Sequence, residues 1–289
     1  MRCLNLLIAL TVAVPSLVFA REAPTVTTVK VTDTIYMLQG RGGNLGVLVG
    51  DDGVLVIDSD YPGMVEGHLS AIEELSAGKP IFLINTHFHG DHTGGNKAFG
   101  ETAWIIAHDN VRVRLLGDKN PADMEKADRR GLPTITYGES MSVHFNNEDL
   151  AITHYPTGHT DGDSVIMFTG SNVAHLGDHF FVDRFPFIDL AGGGDVNGYL
   201  KNVRAMIETL PDDVKIIPGH GPLASKDDLR NFEKLISDTV AIIQGYIDAG
   251  KSLDEATEAG LPEQYDEAGS AFINVQRWIG IVYKSLTEQ

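Results

Sequence analysis

This sequence contains almost no cysteine. Of its 289 residues only Cys3 is one, so nothing downstream of it can form a disulfide or offer a thiolate to a metal. Basic residues are also scarce. Lys and Arg number 22 against 40 Asp and Glu, a formal net charge of −18 at pH 7. That surplus would repel a phosphate backbone and argues against nucleic acid as a partner. It says little about a small-molecule substrate, because a bound cation can invert the local field. Beyond residue 20 no stretch is apolar enough to cross a bilayer. Long charge blocks, low-complexity tracts, internal repeats and Pro/Gly/Ser-rich linkers are missing too. With 43% hydrophobic residues the chain reads as folded, and residues 21–289 as a single domain.

The N-terminal segment differs. Arg2 is followed by the mostly apolar run Leu4 to Phe19, broken by Asn5, Thr11, Pro15 and Ser16. Val18-Phe19-Ala20 places small residues at the −3 and −1 positions of a cleavage site. Residues 1–20 therefore read as a signal peptide cut before Arg21, and the run is short and interrupted for a membrane anchor. The expected location is periplasmic or secreted, with no stable membrane association after cleavage. Cys3 is not at the segment's end, where a lipid-attachment cysteine would lie.

Strands are expected over Val26 to Leu38 and Leu45 to Val49, then over the continuous apolar run Val54 to Ile57, as in a strand buried on both faces. Asp51-Asp52-Gly53 is a hairpin signal. A helix is expected over 63–77, a buried strand over Ile81 to Ile84, a strand over Ala103 to Ala107 and a short helix over Asp109 to Leu116. Residues 117–140 read as a long surface segment, either a substrate-facing lid or a plain loop. Strands follow near 141–155, 164–169 and 172–176, a helix over Asn197 to Thr209, a strand over Val214 to Ile217, and mainly helix from Lys226 on. Strands with helices between them fit an α/β layered fold.

The chemistry concentrates at His87-Phe88-His89-Gly90-Asp91-His92. Residues two apart at a strand end point to the same side, so His87 and His89 can present imidazoles to one metal. Gly90 allows a turn, after which Asp91 and His92 can face a second metal. A catalytic zinc takes three protein ligands and keeps a position open for water. Three further candidates each follow a strand-like run and have glycine neighbours: His159, Asp178 and His220.

The ordered set Asp58, His87-x-His89-x-Asp91-His92, His159, Asp178 and His220 resembles the metallo-β-lactamase superfamily, over about residues 45–222. The resemblance implies a four-layer αββα sandwich with two mixed β-sheets and the site at one edge. It implies two Zn2+ ions per chain: His87, His89 and His159 on one, Asp91, His92 and His220 on the other, and Asp178 bridging. Asp58 would orient a ligand rather than bind, or simply cap the helix that begins near Tyr61-Pro62. Several β-lactamases of this superfamily place a cysteine where Asp178 stands. Its absence here is similar instead to glyoxalase II, lactonases and related hydrolases. His89, where a glutamate is typical of the di-iron flavoprotein branch, favours zinc over redox iron.

The expected function is a binuclear zinc hydrolase attacking a carbonyl centre (ester, thioester, lactone or lactam) with a metal-bound hydroxide, Asp91 serving as the catalytic carboxylate. Competing expectations are a true or promiscuous β-lactamase, a mononuclear iron oxidoreductase of the persulfide dioxygenase type, and a non-catalytic zinc-binding protein. His68, His108, His144, His154, His175 and His179 lack motif context and read as ordinary histidines, His179 being the nearest exception. Phe180, Phe181, Phe185 and Phe187 read as core first and pocket lining second.

Overall fold

A computed structural model describes residues 24–76, 78–119 and 124–288. The expected signal peptide and Cys3 lie outside the described residues. Two sheets form the centre. The first has seven strands in sequence order: β1 (Thr27–Lys30), β2 (Ile35–Gln39), β3 (Leu45–Gly50), β4 (Gly53–Ile57), β5 (Pro80–Ile84), β6 (Trp104–His108) and β7 (Ile135–Tyr137). β1 to β4 pair antiparallel and β4 to β7 parallel. The strand expected over Val26 to Leu38 is two strands. Thr32 Oγ1 accepts from the Ile35 amide at 2.9 Å and turns the chain between them. The hairpin at Asp51-Asp52-Gly53 forms as expected, with Gly50 opposite Gly53.

The second sheet has the order β13-β12-β11-β10-β9-β8. Its strands are β8 (Ser140–Phe145), β9 (Glu148–His154), β10 (Ser164–Phe168), β11 (Val173–Phe181), β12 (Lys215–His220) and β13 (Ala224–Ser225), with β11 and β12 parallel and the other pairs antiparallel. β8 and β9 are joined at Asn146 and Asn147, both with positive φ, the backbone a two-residue hairpin requires.

The continuous apolar run of β4 explains its place. Leu55 and Ile57 face the core between the sheets, with Ile152, Ile166 and Ile217 from the second sheet. Val54 and Val56 face the other way, onto Ala71 and Ile72 of α1 (Val65–Leu75). Alternate side chains of one strand thus serve two interior layers. Phe99 of the short helix α3 (Asn96–Phe99) joins this outer layer, and α2 (Gly90–Thr93), α4 (Asp109–Leu116) and α5 (Lys126–Arg129) lie in the connections around β5, β6 and β7. Over the second sheet lie α6 (Val196–Thr209), α7 (Lys226–Asp248), α8 (Leu253–Ala259) and α9 (Val275–Thr287). Their apolar faces, including Tyr199, Phe232 and Trp278, pack against Ala174, Leu176 and Phe180 of β11. The result is helix, sheet, sheet, helix: the αββα sandwich with two mixed sheets. Among the described residues no helix is long and apolar enough to cross a membrane.

The described residues of 117–140 include regular elements. They contribute α5 and the edge strand β7, fixed by the Thr134 amide on Ile105 O at 2.8 Å.

Candidate metal centre

Parallel pairing sets the location. β4 and β5 run the same way, so their C-terminal ends, bearing Asp58 and His87, lie on one edge. In the second sheet the β9–β10 connection bearing His159 opens on the same edge as the ends of β11 and β12, which carry Asp178 and His220. Asp178 is not in a loop after a strand. β11 runs on to Phe181 through register shifts around Gly177, and such irregularities re-aim side chains beside active sites. Gly177 has φ +51°, and a Cβ there would stand 2.8 Å from Thr86 Cβ, so the bulge needs glycine.

All seven expected ligand residues converge. His87, His89, His159 and Asp178 each offer an atom within 4.8 Å of the others, and so do Asp91, His92 and His220. Asp178 lies between the two groups. Its Oδ1 is 3.0 Å from His92 Nε2 and 3.4 Å from His220 Nε2, while Oδ2 is 3.3 Å from His159 Nε2 and 3.8 Å from His87 Nε2.

These contacts suit cations better than protons. His87 Nε2 is buried with no hydrogen-bond partner. His159 Nε2 faces His89 Nδ1 at 2.9 Å, and His92 Nε2 faces His220 Nε2 at 3.4 Å. A tetrahedral zinc with nitrogen bonds of about 2.0–2.1 Å spaces its ligand atoms by roughly 3.3–3.4 Å, close to these separations.

The protonation balance follows from burial and neighbours. Burial drives His87 well below the ordinary imidazole value and His159 down to about 4, so both present a lone pair. Burial would lower His92 and His220 as well. Asp178 and Asp58 reverse this for His92, and Asp178 and Asp91 carry His220 up to about 9. Burial alone would raise the Asp178 carboxyl, but the imidazoles of His92, His220, His159 and His87 hold it well below the carboxylate range.

The far nitrogens of these rings are also held, which fixes tautomer and orientation. His92 Nδ1 donates to Asp58 Oδ2 at 2.7 Å. His87 Nδ1 donates to Thr86 Oγ1 at 3.1 Å, and that hydroxyl donates to Asp58 Oδ2 at 2.7 Å. Asp58 is therefore an orienting carboxylate and not a helix cap; the helix that begins near Tyr61-Pro62 is a single 3-10 turn, Pro62–Met64, with Tyr61 before it and no side-chain cap. His159 Nδ1 donates to Phe187 O. His89 Nε2 donates to Asp189 Oδ2 at 2.9 Å. Asp189 is not legible in the sequence. It lies 100 residues from His89 with no local pattern around it, and only its place after the Phe-rich run beyond Asp178 could have pointed to it.

The other histidines stay outside both groups. His68 pairs with buried Asp60 at 2.9 Å, His108 stacks on His154 at 3.6 Å, His144 is exposed beside Asp149, and His175 meets Asn44 O. His179 is buried behind Asp178 against Asn202.

A cavity of about 500 Å³ opens over the centre. His89, Asp91, Asp178 and His220 form its floor, and Arg41, Arg184, Phe187 and Phe272 are among its walls. The 40–44 loop folds over the edge: the Gly43 amide donates to Asp91 O at 3.0 Å and the Asn44 amide to Gly219 O at 2.8 Å. A Cβ on Gly43 would run into the His92 ring, so only glycine passes there. No described residue of 117–140 lines the cavity. Of the four phenylalanines, Phe180 is pure core, Phe185 is core with an edge on the cavity, and Phe181 and Phe187 line it.

Comparison with known proteins agrees with this fold. The family model described as the metallo-beta-lactamase superfamily matches residues 38–220. The chain is similar to the hydroxyacylglutathione hydrolase GloC of Haemophilus influenzae, 31% identical over 186 residues, covering 60% of this chain and 84% of that protein. It is also similar to a hydroxyacylglutathione hydrolase of Nitrosococcus oceani, 32% identical over 140 residues, 48% of this chain and 47% of that one. The match thus spans about half the length of the latter relative. Among solved structures, a metallo-beta-lactamase from Pontibacter korlensis superimposes with a TM-score of 0.62 at 14% identity, covering 74% of this chain and 99% of that one. With the sandwich, the edge location and the His/Asp groups in place, the chain belongs to the metallo-β-lactamase superfamily.

Proposed function

We propose that this chain is a two-metal hydrolase of small molecules, acting at the carbonyl of an ester, thioester or lactone, with zinc as its cation. The observation that carries this reading is the position of Asp178, one carboxylate oxygen toward each group of imidazoles. His87, His89 and His159 would hold one cation, Asp91, His92 and His220 the other, and Asp178 both. An all-nitrogen-and-oxygen donor set rich in imidazole suits zinc. When bound, such cations lower the pKa of coordinated water toward neutrality and polarise a carbonyl oxygen.

The chain's own residues do the rest. Asp91 is only part-buried and borders the cavity. Burial raises its carboxyl, but His220 and His92 outweigh this and keep it below the usual range, so it stays ionised and able to take a proton at Oδ2. Asp58, Thr86 and Asp189 keep three rings aimed inward. Phe181 and Phe187 give part of the cavity an apolar, water-poor wall. Among the described lining residues there is no Ser, Thr, Cys or Lys, and Tyr61 is the one hydroxyl, which supports water as the nucleophile. The hydrolases among the relatives support the reaction class. Export rests on residues 1–20 alone, and a secreted or periplasmic product beginning at Arg21 would bear it out.

The decisive experiment combines elemental analysis of the purified protein with a panel of esters, thioesters, lactones and nitrocefin. Zinc at two per chain with turnover of an ester, thioester or lactone is the expected result. One iron per chain would favour the persulfide dioxygenase type, and preference for nitrocefin would favour a β-lactamase. Asp91→Asn should lower kcat by about 100-fold or more; near-normal turnover in that variant would remove Asp91 from the mechanism.

A further inference from the structure

The chain carries a net charge of −18, yet its catalytic cavity is not acidic beyond the candidate ligands. Apart from Asp91 and Asp178, the carboxylates are gone from the lining, and the charged side chains that remain are Arg41 and Arg184. Neither guanidinium forms an ion pair among the described residues. Arg184 spends only its Nε–H, on Val182 O at 3.2 Å, which leaves both terminal nitrogens unused. Arg41 has an exposed side chain on a pinned backbone: its amide donates to Asp60 Oδ2 at 3.1 Å, and Asp60 is locked by buried His68. Two unpaired arginines over a cavity, in a chain with a large excess of carboxylates, are forks held ready for an external anion.

The opposite chemistry stands beside them. Phe272 lines the cavity with 74% of its surface exposed, on the segment just before α9. Its ring meets Phe187 edge-on at 6.4 Å. Arg277, from the first turn of α9, lies over both rings, 4.2 Å from Phe272 and 5.4 Å from Phe187. The cation braces an aromatic wall that water would otherwise disfavour, and a large apolar ring at a cavity mouth gains free energy when a ligand covers it. Phe187 is also the residue whose carbonyl orients His159, so this wall is continuous with the metal centre.

We propose that the substrate is an amphiphilic anion, its apolar arm against Phe187 and Phe272, its acidic group on Arg41 and Arg184. This specificity rests on the hydrolase reading for its reaction but not for its binding, which can be measured separately.

The test is calorimetry on the zinc-loaded protein with 4-phenylbutyrate, 4-phenylbutanol and butyrate as probes. Any direct carboxylate–zinc contact is common to wild type and variants, so comparison between variants isolates the side chains. The double change Arg41→Ala with Arg184→Ala should weaken 4-phenylbutyrate by about tenfold or more and 4-phenylbutanol by less than about threefold. Arg184→Gln, which keeps the bulk and the Val182 contact in reach, should give part of the same loss. Phe272→Ala should weaken both phenyl probes by roughly fivefold and leave butyrate unchanged. Equal losses of acid and alcohol in the arginine variants, or unchanged phenyl binding in Phe272→Ala, would overturn the proposal. Zinc content measured on every variant separates a damaged metal centre from a lost contact. If no carbonyl substrate turns over while these differences hold, the hydrolase reading fails and the binding assignment stands. Turnover without these differences overturns the binding assignment and leaves the hydrolase reading in place.

Discussion

Asp58 and His92 meet at 2.7 Å with both side chains fully buried. The same Asp58 oxygen takes the Thr86 hydroxyl, which in turn holds His87. One carboxylate at the end of β4 thereby orients an imidazole of each ligand group. It does so from a backbone at φ +62°, in the left-handed region that Asp tolerates better than branched residues do.

Asp58→Asn should therefore fold but bind metal poorly. An amide cannot accept from Thr86 Oγ1, the Thr86 amide and His92 Nδ1 as the carboxylate does. The expected loss is about 10–100-fold in metal affinity and roughly 1–3 kcal/mol of stability from unsatisfied buried groups. Metal titration and denaturant unfolding of the variant check both, and wild-type affinity would contradict the orienting role.

Asp189→Ala separates orientation from stability. Asp189 and His89 are each about a fifth exposed, so losing their contact opens no deep core. Metal affinity should fall by about 10-fold or more while the unfolding midpoint of the metal-free protein hardly moves. Metal counts after dialysis against a weak chelator read the effect.

Stripping metal should destabilise the chain, because Asp178 and four imidazoles would be left facing one another in the interior. Restoring zinc at a hundred times its Kd should add about 2.7 kcal/mol, or roughly 5–10 °C in Tm. In Asp178→Asn this gain should shrink sharply. A thermal melt with and without zinc, on both proteins, is the measurement.

Trp278→Ala tests the docking of α9. Trp278 is fully buried, donates from Nε1 to Thr239 Oγ1 at 3.0 Å, and stacks on Phe185 at 5.2 Å. Its removal should cost about 3–5 kcal/mol in chemical denaturation. Since Phe185 borders the cavity, binding of apolar probes should weaken as well.

Much of the fold was legible because apolar periodicity reports burial directly. Val54 to Ile57 announced a strand covered on both sides, and the structure gives it a core on each. Boundaries were less legible where one side chain makes the turn, as Thr32 does between β1 and β2. β7 was hidden because a three-residue edge strand carries too little pattern to stand out.

By itself the sequence determined the donor chemistry. With no cysteine beyond residue 3, no thiolate could hold a metal there, and the His-x-His-x-Asp-His spacing put four nitrogen and oxygen donors at one strand end. Only the tertiary structure decided how those donors are aimed. The bulge at Gly177 turns Asp178 between the two groups, and Asp58 and Asp189 reach their imidazoles across 34 and 100 residues. Such contacts depend on which strands pair and where a loop returns, and so on burial over the whole sandwich rather than on any local run of residues.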